Sequence, residues 1–227
     1  MAKKMIFLMS EEGVSEGALQ VVQHSIIEVL KIASSENKLF NRVQVVNWGY
    51  WCSPRHLLGN LPRPFMSMDW YLNIAREKGT DRINTDKLYR ILNPNPKPEY
   101  VKIPHFDHFK VVVLKSEIVH PFNPSLKAYG TGRSGLGACI TTKGFTDNNI
   151  SDVLDLKTIA MHEVGHMFGL IPRSRSTAVE ESSGLHCTNR CIMRQGKLTV
   201  MTSDRIRYGE FCPDCKYILR AAFRALN

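Results

Sequence analysis

MHEVGHMFGL, residues 161–170, contains two histidines, His162 and His166, that lie four positions apart. On a helix this spacing puts both imidazoles on one face, about one turn apart, where both can bind the same zinc ion. Glu163 follows the first histidine and can contact a metal-bound water without binding the metal, which suits a general base. Because zinc lowers the pKa of such a water to about 7, the pattern predicts metal-assisted hydrolysis.

Two glycines refine the predicted helix. Gly169 comes three residues after His166, where the helix must end and the chain must turn back. Gly165 lies inside the helix, where glycine costs about 1 kcal/mol relative to alanine, so it predicts a close contact with another part of the backbone. The helix is predicted to begin near Ser151 or Asp152 and to be well buried.

Four of the six cysteines of the chain follow this helix. The relevant segments are GLHC at residues 184–187, CIM at 191–193 and CPDC at 212–215. Four cysteines arranged as Cys-x-x-x-Cys and Cys-x-x-Cys are a zinc-site pattern, and zinc sites accept two to four intervening residues. The remaining two, Cys52 and Cys139, are interpreted as small core residues.

Together, the helix motif, the His-Cys pair, the Cys-x-Met segment and the closing Cys-x-x-Cys resemble the archaemetzincins, a branch of the metzincin metalloproteases. These motifs span about residues 152–215, and the upstream sequence is consistent with the family without a comparable motif. The resemblance implies hydrolysis of a peptide or protein substrate with two zinc ions per chain, one catalytic and one structural. It assigns the catalytic zinc to His162, His166 and His186, the general base to Glu163, the Met-turn to Met193, and the structural zinc to Cys187, Cys191, Cys212 and Cys215.

The position of the third histidine departs from the metzincin pattern. Metzincins place their third ligand six residues after the second histidine, and here that position is Pro172, which cannot bind a metal. Residues 171–185 are therefore interpreted as an insertion that displaces His186, and closing a longer loop costs only about 0.6 kcal/mol per doubling of its length. Glu180 or Glu181 is the alternative third ligand, and an incomplete site is the other alternative.

The insertion also motivates a second functional hypothesis. Pro172 and the displaced His186 are compatible with a zinc-stabilised interaction module whose catalytic site is incomplete or blocked. Residues 171–183 are polar and short of apolar anchors, so a mobile loop is predicted there.

The cysteine site also requires positive charge nearby. Four thiolates around Zn²⁺ leave about two negative charges. Arg190, Arg194 and Lys216 flank the cysteines and are candidates to balance them, although they could equally be ordinary solvated side chains. The overall net charge of +9 is spread along the chain without a basic run, so it does not by itself predict nucleic-acid binding.

Length and composition predict one domain, residues 1–227, with an N-terminal lobe at 1–169 and a C-terminal lobe at 170–227. A chain of 227 residues that is 43% hydrophobic can bury an ordinary core without disulfides. No segment approaches the roughly 20 apolar residues of a membrane span, and the N-terminus lacks the apolar region of a signal peptide. A cytoplasmic protein is therefore expected, and a reducing compartment favours metal binding over disulfides.

Strand and helix patterns alternate upstream of the zinc motif. An apolar run at 5–9, a helical pattern at 14–32 and a strand at 42–47 predict a βαβ unit. Further strands are predicted at 110–115, 127–132 and 136–142, the last two as a hairpin. The predicted fold class is α/β (α+β), metzincin-like, with a mixed and mostly parallel sheet. In metzincins an edge strand pairs with the substrate, and the resemblance gives this role to 127–132 or 136–142.

Overall fold

The computed structural model describes residues 4–34, 43–50, 67–92, 108–119, 127–181 and 184–225. In this part of the chain ten strands and six helices follow one another. In chain order they are β1 Lys4–Ser10, α1 Glu16–Ala33, β2 Val43–Gly49, α2 Met68–Ala75, β3 Arg82–Ile83, α3 Thr85–Leu92, β4 His108–Leu114, β5 Glu117–Val119, β6 Lys127–Ala128, β7 Gly130–Arg133, β8 Gly137–Thr141, α4 Ile150–Met167, β9 Ala178–Glu181, β10 Gly184–Cys187, α5 Leu198–Tyr208 and α6 Pro213–Ala225. Cys52 lies outside the described residues.

Five strands form the main sheet, in the order β2-β1-β4-β8-β7. The pairs β1–β2, β1–β4 and β4–β8 are parallel, and β7 runs antiparallel to β8. This mixed, mostly parallel sheet confirms the predicted fold class. The predicted βαβ unit is also present, because α1 connects the adjacent parallel strands β1 and β2.

The side chains of β4 divide the core between the two faces of the sheet. Val111 and Val113 belong to one apolar cluster, which also contains the buried faces of α1, α4 and α6. Val112 and Leu114 belong to a second cluster, built with α2 and α3. A parallel strand covered on both faces needs apolar residues at every position, which explains the uninterrupted apolar run. Cys139 is fully buried in the second cluster, as predicted.

The segment after α4 is more regular than the sequence indicated. Residues 178–181 form β9, which pairs antiparallel with β10 so that His186 lies opposite Val179. The prediction of a loop through residues 171–183 was therefore wrong for this part. The segment is held by backbone hydrogen bonds and polar side-chain contacts. Because such contacts do not require apolar residues at regular spacing, the sequence shows no hydrophobic pattern that would predict the strand. Among the described residues, no helix has both the length and the hydrophobicity needed to cross a bilayer.

Candidate metal centres

Helix α4 carries the His-Glu-x-x-His motif, and its ends are defined by polar and backbone features. Asn149 caps the start, because its side-chain oxygen accepts a hydrogen bond from the Ser151 N–H at 2.9 Å. The chain leaves the helix through Gly169, whose φ of +70° is a left-handed conformation that favours glycine. Near the end of the helix, His162 and Glu163 are 5% and 8% exposed. The predicted helix is therefore confirmed, with its start one residue earlier.

The third predicted histidine, His186, reaches α4 from β10. Its ring centroid lies 5.4 Å from that of His162 and 5.1 Å from that of His166. The two helix histidines approach each other to 3.0 Å between their Nε2 atoms. One ring nitrogen from each histidine lies within 4.8 Å of the others, so the three could hold a metal ion. The twenty-residue separation in sequence between His166 and His186 thus does not prevent the three from meeting.

Two carbonyl groups orient the imidazoles. His162 Nδ1 lies 2.6 Å from the carbonyl oxygen of Ile192, and His186 Nδ1 lies 3.1 Å from that of Gly184. Because a carbonyl oxygen only accepts hydrogen bonds, each Nδ1 carries the proton in these contacts. The Nε2 atoms of both rings then keep a free lone pair, which is the arrangement of zinc-binding histidines in proteins.

Burial keeps the imidazoles neutral. It lowers the pKa of His162, and it lowers that of His166 further, because the other two rings add charge repulsion. For His186, burial together with the charge of His162 lowers the pKa to about 3. Neutral imidazole is the form that binds zinc, so the protonation state of the cluster fits a metal site.

Neither glutamate proposed as an alternative third ligand belongs to this cluster. Glu180 is exposed and pairs with Arg173 at 3.0 Å. Glu181 lies 3.6 Å from His186 Nδ1, on the side of the ring away from its free Nε2. A carboxylate at this position helps to orient the ring and increases its basicity.

Two glycines allow the edge strand β7 to lie directly on α4. A Cβ atom at Gly130 would lie 2.5 Å from Cγ of Glu163, and one at Gly132 would lie 2.6 Å from Cβ of His166 and collide with the Glu163 carbonyl. β7 is the last strand of the sheet, and of the two predicted edge segments, 127–132 is the one that overlaps it. Neither glycine was predicted to be functional, although glycine within a strand pattern is a known indication of close backbone approach.

Glu163 therefore sits between α4 and the edge strand. Burial raises the pKa of its carboxyl to about 8. A divalent cation nearby would lower that pKa again. A general base works best with a pKa near the operating pH, so this environment suits proton transfer.

The turn that contains Met193 connects both histidine-bearing elements. Met193 is fully buried, and a Cβ atom at Gly165 would collide with its sulfur and lie 3.1 Å from its Cε. The preceding residue, Ile192, accepts the hydrogen bond from His162, and the Met193 carbonyl accepts one from the Cys187 N–H at 2.8 Å. Gly165 thus makes a close contact, but the prediction that the partner is backbone was wrong, because the nearest atoms belong to the Met193 side chain.

Replacing Gly165 with alanine is expected to lower the free energy of unfolding by about 1–2 kcal/mol, although alanine favours an exposed helix by about 1 kcal/mol. The reason is the collision with Met193. Urea denaturation of zinc-replete protein measures the change. Gly196→Ala is the control, since the nearest atom to its added Cβ is Met201 Cγ at 3.8 Å. A stabilised Gly165→Ala variant would contradict the contact.

The four predicted cysteines also come together, at the start of α6. Their Sγ atoms all lie within 4.8 Å of one another, with Cys187–Cys212 and Cys191–Cys215 at 3.8 Å. Disulfide sulfurs are about 2.05 Å apart, so these are four free thiols. Sulfurs at the corners of a tetrahedron, each about 2.3 Å from a central zinc, are about 3.8 Å apart. The group therefore fits a tetrahedral zinc ion.

Among the described residues, Arg175 is a cation that contacts these sulfurs, and the sequence did not indicate it. It donates hydrogen bonds to Cys187 Sγ at 2.9 Å and to Cys215 Sγ at 3.1 Å. Burial alone would lower the pKa of the guanidinium, but the contacts with Cys215 and Cys187 raise it above its usual value.

The flanking cations make other contacts. Arg190 donates to the Tyr208 hydroxyl at 2.8 Å, and Arg194 pairs with Asp204 at 3.5 Å. For Arg190 and Arg194 these contacts favour the second of the two interpretations, ordinary side chains, because being next to a cysteine in the chain does not direct a long side chain toward the sulfur.

The chain is similar to the crystal structure of archaemetzincin from Methanopyrus kandleri, with a TM-score of 0.56 and 18% sequence identity over 98% of this chain and 96% of that chain. It is also similar to metalloproteinase-II from Bacteroides fragilis, with a TM-score of 0.48 and 12% identity over 97% of this chain and 53% of that chain. No family model and no curated protein matches the sequence. By its fold, the chain is therefore archaemetzincin-like.

Proposed function

We propose that the protein is a zinc-dependent metallopeptidase. In this proposal a catalytic zinc ion is held by His162, His166 and His186, Glu163 is the general base, and a structural zinc ion is held by Cys187, Cys191, Cys212 and Cys215. The observation that carries the proposal is the convergence of three neutral imidazoles, two of them buried and that of His166 half-buried, with the buried Glu163 next to His162 on the same helix. Few arrangements of side chains other than a metal centre use three neutral histidines in this way.

The three histidines would hold the zinc ion, which would supply a bound water with a pKa of about 7 and would polarise a peptide carbonyl. Glu163 accepts the proton from the attacking water at a carboxylate oxygen and then donates it to the leaving amine. The carboxyl group can hold this proton because burial favours its protonated form. Contact with Gly130 keeps it in place beside the edge strand.

We also propose that an extended peptide substrate adds to the sheet along β7. The Tyr129 carbonyl accepts a hydrogen bond from the Thr141 N–H at 2.9 Å, so this pair is hydrogen-bonded. Because hydrogen-bonded and non-bonded pairs alternate in an antiparallel ladder, the peptide groups of Gly130 and Gly132 are directed away from β8. Strand addition uses such outward N–H and C=O groups. The same two glycines pack on α4, so a peptide bound there would lie close to Glu163.

Zinc content combined with peptidase activity tests the proposal. Wild-type protein is expected to contain two zinc ions per chain and to lose activity on chelation. His186→Ala is expected to contain one and to be inactive, because two imidazoles do not retain the catalytic ion. His24→Ala, which changes an exposed histidine on α1, is the matched control. The alternative function, a zinc-stabilised interaction module with an incomplete or blocked site, predicts one zinc ion in all three proteins, and that result would refute the peptidase.

The proposal includes a reducing compartment, the cytoplasm. Its support is the state of the described cysteines, which are all free thiols although four of them lie close together. A reducing compartment favours the use of cysteines as metal ligands over disulfides.

A further inference from the structure

We propose that Arg175 is a positioning residue for the cysteine zinc site. Its guanidinium is the fixed counter-charge of the sulfur cluster, and it holds the segment leading to His186 against that cluster. The inference rests on the proposed function, because it concerns the zinc ion that the four cysteines would bind.

The guanidinium of Arg175 is buried and contacts three of the four cysteine sulfurs. One guanidinium nitrogen, Nη2, lies 2.9 Å from Cys187 Sγ and 3.6 Å from Cys212 Sγ, and Nη1 lies 3.1 Å from Cys215 Sγ. The Arg175 side chain is only 6% exposed. A planar guanidinium presents several donors in a fixed arrangement, so one side chain can contact three sulfurs at once, which a lysine ammonium on its flexible stem does less well.

Charge balance explains why a cation is needed here. Four thiolates around Zn²⁺ leave about two negative charges, and burying uncompensated charge is costly. Cys187, Cys191 and Cys215 are essentially inaccessible to solvent. Arg175 therefore offsets part of a charge that water cannot solvate. Asp214 also contacts the guanidinium, at 3.5 Å, but its side chain is half exposed and its charge is screened by solvent.

Arg175 also connects three parts of the fold. It donates from Nη1 to the Leu170 carbonyl at 3.3 Å, just after α4, and from Nε to Thr177 Oγ1 at 2.6 Å, just before β9. β9 in turn pairs with β10, which carries His186 and ends at Cys187. A single side chain thus joins the end of the active-site helix, the cysteine cluster and the start of the strand pair that presents the third histidine.

The test compares two changes at Arg175 with a matched change nearby. Arg175→Met removes the charge and the donors but keeps an unbranched chain, and Arg175→Lys keeps the charge without the planar arrangement. Arg173→Met is the control, because Arg173 lies on the same segment, is 78% exposed and pairs with the exposed Glu180. Zinc affinity is measured by competition with a chromophoric chelator, and Co²⁺-loaded protein reports the thiolate-to-metal charge-transfer absorption.

Arg175→Met is expected to weaken zinc binding at the cysteine site by about 10–100-fold, the usual effect of losing a partner of the metal ligands. Its charge-transfer band should shift, because the sulfurs lose their hydrogen-bond donors, whereas a purely structural residue would leave the band in place. Arg175→Lys is expected to be intermediate, and Arg173→Met is expected to match wild type.

Equal zinc affinity and an unshifted band in Arg175→Met and Arg173→Met would overturn the inference while leaving two zinc ions per chain. If instead wild-type protein bound no zinc at the cysteines, the structural zinc ion of the proposed function would be refuted, whereas the catalytic site is judged by the zinc content of His186→Ala, so the failures are distinguishable. If Arg175→Met does not fold, the charge-transfer band of Arg175→Lys is compared with that of Arg173→Met. A difference between the two bands supports the inference, and identical bands refute it.

Discussion

Replacing Cys215 with alanine is expected to unfold the C-terminal part of the chain even in zinc-replete buffer. Cys215 is fully buried at the start of α6 and belongs to the same apolar cluster as Phe223, so the cysteine group and the packing of α6 depend on each other. Structural zinc sites contribute about 10–16 kcal/mol of apparent binding free energy. The loss of most of this binding free energy would be enough to cancel a typical net stability of about 5–15 kcal/mol.

Far-UV circular dichroism and limited proteolysis measure the outcome for Cys215→Ala. Cys139→Ala is the matched control, since Cys139 is equally buried but lies outside the sulfur group. The control should remain folded, because replacing an isolated buried cysteine removes only a small apolar side chain. A Cys215→Ala protein with wild-type thermal stability would contradict a structural zinc site.

Replacing Glu163 with glutamine is expected to reduce peptide cleavage by about 10²–10⁴-fold, the usual contribution of a general base. Glutamine has nearly the same shape but cannot accept the proton. Zinc content should remain at two ions per chain, because the proposed ligands are histidines and cysteines. Stability should be maintained or raised, because burial already disfavours the charged form of this carboxyl group.

Mass spectrometry of a peptide library incubated with equal amounts of each protein measures the cleavage. Glu180→Gln is the control, because Glu180 is exposed on β9 and pairs only with Arg173 among the described side chains. It should cleave at the wild-type rate. Unchanged cleavage by Glu163→Gln would remove Glu163 from the mechanism.

The residues of α4 could be predicted because their geometry is local. Helical spacing alone places His162 and His166 on one face with Glu163 beside them, and Gly169 is where the helix has to end. The apolar runs of the parallel strands are equally local. His186 could be assigned only through the family resemblance, because no spacing rule specifies where a ligand lies after an insertion of this length.

Contacts between distant parts of the chain could not be predicted in this way. Arg175 and Cys215 lie 40 residues apart in sequence, and nothing in the polar segment around the arginine indicates that it is anchored by sulfurs. Gly130 and Gly132 are informative only once β7 is known to lie on α4. In each case the residue that is contacted lies on another element of the fold, so the sequence around the first residue gives no sign of the contact.

The most direct test of the account is anomalous diffraction from crystals of zinc-replete protein, recorded on both sides of the zinc absorption edge. Two peaks per chain are expected, one among the ring nitrogens of His162, His166 and His186 and one among the four cysteine sulfurs. A map with no peak between the three imidazoles would contradict a catalytic zinc centre and the peptidase built on it.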